Sequence, residues 1–300
     1  MRTHFMTQTH SIMVLSDGRQ IGYVECGDPR GFPIFFFHGF PGSRIQAEDF
    51  HQIADTKHCR FFGVDRPGMG LTSFNKQHSL LSWADDIKEL ADFLNIEKFS
   101  IIAHSGGAPY ALACAYKIPE RVSHIALVSA LPPTTLPETN VGMPLGYRII
   151  NVLVRKIPGV AWLFMQLQRN VLLRPNIFKK VIQALPEADR LIFERSHQMN
   201  RMLHTSKEAF KQGVQGAAYE FRLLLKDWGF NLESIHTPTT IWQGALDKQT
   251  LVSNAKFYQH KLGQAELQVF DNESHVSVLY NQIDKIIDKS ISHQKTSRNP

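Results

Sequence analysis

Cysteine is scarce in this chain of 300 residues. Cys26, Cys59 and Cys114 are odd in number and far apart, which excludes a disulfide framework and the paired spacing of a zinc or redox motif. A reducing, cytoplasmic setting is expected, with no metal and no cofactor. Long apolar runs are missing too. The longest, from Ile149 to Met165, is interrupted by Arg155, Lys156 and Pro158 and is too broken to span a bilayer. Met1 to His10 has no apolar stretch of the kind a secretory leader carries and reads as a loose tail. There is no dense Lys/Arg run and no nucleic-acid motif, so nucleic acid is not an expected partner. The formal net charge is nevertheless +6, and it is unevenly placed. Residues 131–236 hold 14 Lys plus Arg against 8 Asp plus Glu, while the remainder holds 19 of each. The surplus reads as a scattered, solvated surface, or else as mild steering of an anionic ligand or an anionic membrane surface.

What is present is an ordinary globular composition, 43% hydrophobic, in a chain long enough for a large core. Ile12–Leu15 and Ile21–Val24 flank an Asp17-Gly18 turn and read as a hairpin. Ile34–Phe37 is a continuous apolar run, as in a strand buried on both faces. His38-Gly39-Phe40-Pro41-Gly42-Ser43 follows at once. Taken alone that loop is equally a plain turn, or one that directs the Phe40 N–H into a site. Phe61–Val64 is the next strand, ending in Asp65-Arg66-Pro67-Gly68-Met69-Gly70. Ser82 and Asp85 suggest a helix start, with Trp83, Ile87, Leu90 and Leu94 on its apolar face. Ile125–Val128, Thr239–Trp242 and Leu267–Phe270 are further strands. Between about Pro132 and Asn231 the strand signal gives way to helical periodicity. Its clearest stretch is one helix through Phe210, Val214, Ala217, Phe221, Leu224 and Trp228, weakened by Gly213 and Gly216. The segment reads as a helical insertion over the sheet's edge, because the α/β alternation resumes beyond it; the alternative is a separate helical domain. Most of its large apolar side chains, Met143, Leu145, Tyr147, Trp162 and Met165 among them, are expected to pack inward. Lys289 to Pro300 is polar and is expected to fray.

The stretch around which these elements are arranged is 99–117. Phe99–Ala103 is of strand type, Ser105 follows among small residues, and Ala108, Ala111, Leu112 and Ala115 recur at helical spacing. Strand, sharp turn and helix hold a serine out of the sheet on strained backbone. The usual pattern is Gly-x-Ser-x-Gly; here Ala103 stands first and Gly107 last. Pro109 falls in the first helical turn, where its missing N–H costs nothing. On its own the segment also reads as a buried strand and a Gly-rich turn. Asp247 and His275, however, each fall just past another strand, and the order Ser, Asp, His is that of one known fold.

On His38-Gly39-Phe40-Pro41-Gly42, Asp65–Gly70, the turn at Ser105, Trp242–Asp247 and Ser274-His275, the chain resembles α/β-hydrolase-fold proteins, serine hydrolases with a helical cap. The resemblance runs from about residue 12 to 288. It implies an α/β fold with a mostly parallel central sheet, helices on both faces and an inserted helical cap. The core would be 11–131 and 232–288, the cap 132–231. Ser105 would be the nucleophile, His275 its base and Asp247 the orienting acid; the N–H groups of Phe40 and Gly106 would form an oxyanion hole. No Asp or Glu follows the preceding core strand between Ser123 and Thr135, and Asp271 and Glu273 lie too close to His275 in sequence to orient it best. His38 and His104 are given structural roles. Serine at the turn disfavours the dehalogenase and epoxide-hydrolase members, which use Asp there. Proline iminopeptidases share the plan, but their loop carries Gly where Phe40 stands and their caps hold a substrate amine with acids. The expected activity is carboxylesterase-like, on apolar esters, with a small-molecule ester as partner. Thioester, lactone, C–C or N-terminal peptide hydrolysis stays open, as does a receptor-like binding module.

Overall fold

The computed structural model describes residues 9–157, 159–195 and 197–296; most of the expected N-terminal tail, and residues 297–300, lie outside them. In chain order the core begins with β1 (Thr9–Val14), β2 (Gln20–Gly27), β3 (Phe32–Phe37), α1 (His51–Thr56) and β4 (Cys59–Val64). It continues with α2 (Leu80–Phe93), β5 (Phe99–His104), α3 (Ala108–Lys117) and β6 (Val122–Val128). A run of helices follows: α4 (Leu145–Lys156), α5 (Val160–Leu172), α6 (Pro175–Gln183), α7 (Glu187–Glu194), α8 (Gln198–Ala209) and α9 (Gln215–Leu224). The chain then returns to the sheet as β7 (Thr239–Gly244), α10 (Val252–Lys261), β8 (Ala265–Phe270) and α11 (Ser277–Thr296).

The eight strands form one sheet in the order β1-β2-β4-β3-β5-β6-β7-β8. β1/β2 and β2/β4 are antiparallel, and every other pair is parallel. The apolar run of β3 is explained by its two neighbours above and below. Phe35 and Phe37 enter a layer with Trp83, Ile87, Leu90 and Leu112. Ile34 and Phe36 enter the opposite layer with Phe61, Trp242, Leu279 and Ile283. With a period of two, a strand covered on both faces needs no polar alternation.

The strand order also sets the site. From β3 the chain turns to β4 on one side; from β5 it turns to β6 on the other. Loops leaving neighbouring strands in opposite directions open a crevice at the carboxyl edge of the sheet. The loop 38–43 and the turn at Ser105 are the two walls of that crevice.

Three local readings of the sequence change. α2 starts earlier than expected: Ser79 is its cap, the Ser82 N–H donating to Ser79 Oγ at 3.0 Å and the Ser79 N–H to Ser82 Oγ at 2.9 Å. The expected single helix from Phe210 to Trp228 is broken between α8 and α9, where Gly213 takes φ +90°, a conformation that ends right-handed helix. Gly216 does need to be small: a Cβ there would lie 2.4 Å from the Gly68 carbonyl oxygen, so α9 rests directly on backbone of the core. α11 runs past Lys289 to Thr296, with Ile291 buried, where a frayed tail was expected; residues 297–300 lie outside the described residues. Among the described residues no helix is long and apolar enough to cross a membrane.

Candidate active site

Ser105 sits in a 3₁₀ turn, Ser105–Gly107, between β5 and α3, and its φ is +52°. For a residue with a Cβ that is a strained backbone. The neighbours explain why the strain is imposed. A Cβ on Gly107 would come within 2.3 Å of the Phe37 carbonyl oxygen, and one on Gly106 within 2.6 Å of Phe40 Cβ and 3.3 Å of Phe40 N. The turn is therefore pressed against the loop that follows β3. The backbone N–H groups of Phe40 and Gly106, named from the sequence, lie on these two adjoining segments.

The other two residues arrive on neighbouring strands. Asp247 follows β7 and His275 follows β8. His275 Nε2 lies 3.0 Å from Ser105 Oγ, and its Nδ1 lies 2.7 Å from Asp247 Oδ2. Ser105 is half-buried, Asp247 and His275 are buried. Among the described residues neither Asp271 nor Glu273 is hydrogen-bonded to the His275 ring; Glu273 instead receives the Asn281 amide. Both Asp247 oxygens are occupied. Oδ1 accepts the N–H groups of Gln249 and Thr250, and Oδ2 accepts the Thr250 hydroxyl at 2.7 Å as well as His275. Burial pushes the Asp247 carboxyl up, but the charge and hydrogen bond of His275 and the Thr250 donors outweigh it and hold the pKa at about 2. Burial likewise works against charge on His275, and the Asp247 carboxylate overrides it, so the His275 pKa is raised. A serine hydroxyl faces a base, and the base is fixed by an anion: the arrangement can take a proton from Ser105 and hold it.

Several residues that serve this geometry have partners that the sequence did not name. The His275 carbonyl accepts from His104 Nε2 at 3.1 Å and from the Ser129 hydroxyl at 3.0 Å. Burial, then the neighbouring His275 charge, bring His104 down to about 3, so it stays neutral and acts as a donor. Asp189 on α7 accepts the Val276 and Ser277 N–H groups at 2.9 and 2.8 Å, capping the start of α11 beside His275. Arg66 fixes the other wall. Its guanidinium donates to the carbonyls of His38 and Gly39 at 2.6 and 3.0 Å and pairs with Glu220 of α9. Both members of that pair are buried. Arg66 was visible within a motif, but its partner is 154 residues away in sequence.

The helical segment touches the loop 38–43 through aromatic rings. Phe40 stacks on Phe221 at 5.8 Å, and Phe221 lies 5.3 Å from Phe164 of α5. Two surface depressions of about 420 and 500 Å³ lie elsewhere, the first lined by residues such as Gln52, Arg195 and Tyr280, the second by residues such as Arg30, Arg60 and Asn95. The inward packing expected of the large apolar side chains holds for Met165, Phe193 and Phe210. Leu145, Tyr147 and Trp162 are exposed, exceptions to an expectation made for the majority. The three cysteines are buried free thiols; burial raises Cys26 and Cys59 to about 12, which keeps them unreactive.

A family model described as the alpha/beta hydrolase fold matches residues 33–147. The chain is similar to a proline iminopeptidase of Xylella fastidiosa, 29% identical over 39% of this chain and 38% of the relative. It is similar also to a non-heme chloroperoxidase of Streptomyces lividans, 33% identical over 41% of this chain and 49% of the relative. The matched stretch thus spans less than half the length of either curated relative. Among solved structures, an epoxide hydrolase superposes with TM-score 0.73 at 17% identity, covering 96% of this chain and 98% of the other. A thermophilic esterase from Thermogutta terrifontis does so with TM-score 0.65 at 17% identity, covering 95% and 98%. Strand order, the turn at β5, the matched family model and the superposed structures agree: the chain has the α/β-hydrolase fold.

Proposed function

We propose that this protein is a serine hydrolase of carboxylic esters. The observation that carries the reading is the unbroken hydrogen-bond chain from Ser105 Oγ through His275 to Asp247, at 3.0 and 2.7 Å, with the serine at φ +52° on its turn. In the reaction, Ser105 Oγ attacks the ester carbonyl carbon as its proton passes to His275 Nε2. Asp247 holds the imidazole tautomer and stabilises the imidazolium. The Phe40 and Gly106 N–H groups receive the oxyanion, each worth about 2.7–4 kcal/mol in comparable sites. His275 returns the proton to the departing alkoxide and an acyl-enzyme remains. Water, deprotonated by His275, then releases the carboxylic acid and restores Ser105.

Residues 11–131 and 232–288 form the catalytic core in this reading, and 132–231 the cap. Phe40, Phe164 and Phe221 form an aromatic cluster beside the turn at Ser105, which favours an apolar acyl or alcohol group. Serine rather than Asp at position 105 separates the chain from the chemistry that the family resemblance associates with epoxide hydrolases. Holding a substrate amine, as in an iminopeptidase, needs a free acid in the cap. Of the two buried acids of that region, Glu220 is engaged by Arg66, and Asp189 accepts two N–H groups on Oδ1, which leaves its buried Oδ2 as the oxygen that an iminopeptidase reading would have to use. A fluorophosphonate probe followed by peptide mass spectrometry tests the assignment. The adduct is expected on Ser105, and p-nitrophenyl esters should be cleaved faster as the acyl chain lengthens before the rate falls again. Absence of labelling would overturn the hydrolase and leave a ligand-binding module.

A further inference from the structure

We propose that the outer face of α4 and α5 is a docking surface for an anionic lipid bilayer, on which the protein lies without spanning it. α4 is inside out. Leu145, Ile149, Val152 and Leu153 recur at helical spacing and all are exposed, Leu145 at 68%. The side chain that α4 buries beside Val154 is a polar one, Asn151, its amide 3.7 Å from the Met143 sulfur. α5 packs against α4 and continues the surface with Trp162, Leu163 and Leu167, exposed at 51%, 56% and 57%. Single exposed apolar side chains are ordinary; a run of them along two adjoining helices marks an interaction site.

Charge identifies the occupant. No Asp or Glu occurs between Thr139 and Pro186, and the same stretch has seven Lys or Arg, including Arg148, Arg155 and Lys156 on α4. Among the described residues none of the seven joins an ion pair, whereas Lys57, Lys117, Lys261 and Lys289 elsewhere each meet a carboxylate. A second copy of the chain is a poor occupant, because a two-fold interface sets this unpaired positive face against itself. Anionic headgroups satisfy the bases while the apolar side chains enter the acyl boundary. α5 has a second consequence. Phe164 on it reaches Phe221 and so the Phe40 loop, so the helix that meets lipid also borders the candidate site. Docking would bring that site to lipid-dissolved esters. This last step rests on the ester-hydrolase reading; docking itself does not.

Trp83, Trp228 and Trp242 are buried, which leaves Trp162 as the exposed member of the four tryptophans. Vesicles of equal parts phosphatidylcholine and phosphatidylglycerol should shift the emission of the full chain to the blue and carry it into the pellet. Pure phosphatidylcholine should bind it at least about tenfold more weakly, and high salt should release it. The double variant Trp162→Glu with Leu163→Glu should stay in the supernatant yet hydrolyse a water-soluble p-nitrophenyl ester at the wild-type rate. Arg155→Gln with Lys156→Gln, which leaves the apolar face untouched, should weaken vesicle binding about tenfold. Three results overturn the proposal: no sedimentation with either vesicle, equal binding to both, or a wild-type dimer that the double Glu variant renders monomeric. Binding is read without turnover, so failure of docking and failure of the hydrolase are separately visible.

Discussion

On β3, Ile34, Phe35, Phe36 and Phe37 are all buried completely; on α4, Leu145, Ile149, Val152 and Leu153 are all exposed while Asn151 is inside. The two stretches have similar apolar character and opposite fates. β3 is a central strand with a helical layer on each face, so every side chain it projects meets a packed neighbour. α4 lies at the outside of the helical segment and has neighbours along one stripe only. Apolar character decides burial where topology supplies partners on all sides. Where it does not, the same residues become surface, and their exposure is then informative.

The largest expected contrast between the two regions is chemical. Ser105→Ala should lower ester turnover on the order of 10⁶-fold with an unchanged melting temperature; a residual wild-type rate in steady-state assays would place the nucleophile elsewhere. Asp247→Asn should cost about 10⁴-fold and also move the pH profile. The carboxylate favours the imidazolium, so the raised His275 pKa should fall when the charge is removed. Because the base must be neutral, the wild-type rate rises through the His275 pKa and levels off above it, and in the variant the midpoint moves to lower pH. Steady-state kcat/KM against pH reads both effects.

The seam between core and helical segment should be a costly place to disturb stability. Glu220→Gln leaves the Arg66 charge buried without its counterion, an expected loss of about 3–5 kcal/mol in urea unfolding. A smaller effect is expected at the glycines of the same seam. Gly216→Ala meets Gly68 backbone and should cost about 1–3 kcal/mol. Gly213→Ala has open space but a φ of +90°, and about 1 kcal/mol is expected. Equal losses at the two would show that close packing on Gly68 is not what Gly216 provides. The smallest effect sharpens the opening contrast. Leu163→Ala on exposed α5 should change stability by no more than about 0.5 kcal/mol, whereas Leu112→Ala, fully buried on α3, should cost about 2–5 kcal/mol. Chemical denaturation of the pair decides it.

The sequence by itself determined the alternation of strands and helices, the small residues around Ser105, and the chain order of Ser105, Asp247 and His275. Those features are local: a buried strand must be apolar, a tight turn must be small, and each reactive residue follows its own strand directly. The position of Phe40, on a Gly-Pro loop one step past β3, was legible for the same reason. Tertiary structure alone decided the rest. The Arg66–Glu220 pair, Asp189 at the start of α11, and the two donors on the His275 carbonyl join positions far apart in the chain, and no periodicity records such a meeting. The break at Gly213 was hidden because the apolar spacing continues across it, and spacing reports which face a residue occupies without reporting the sign of φ. The exposure of α4 was equally unreadable, since a hydrophobic stripe specifies that a face seeks a partner, and only the packed structure shows whether the chain supplies one.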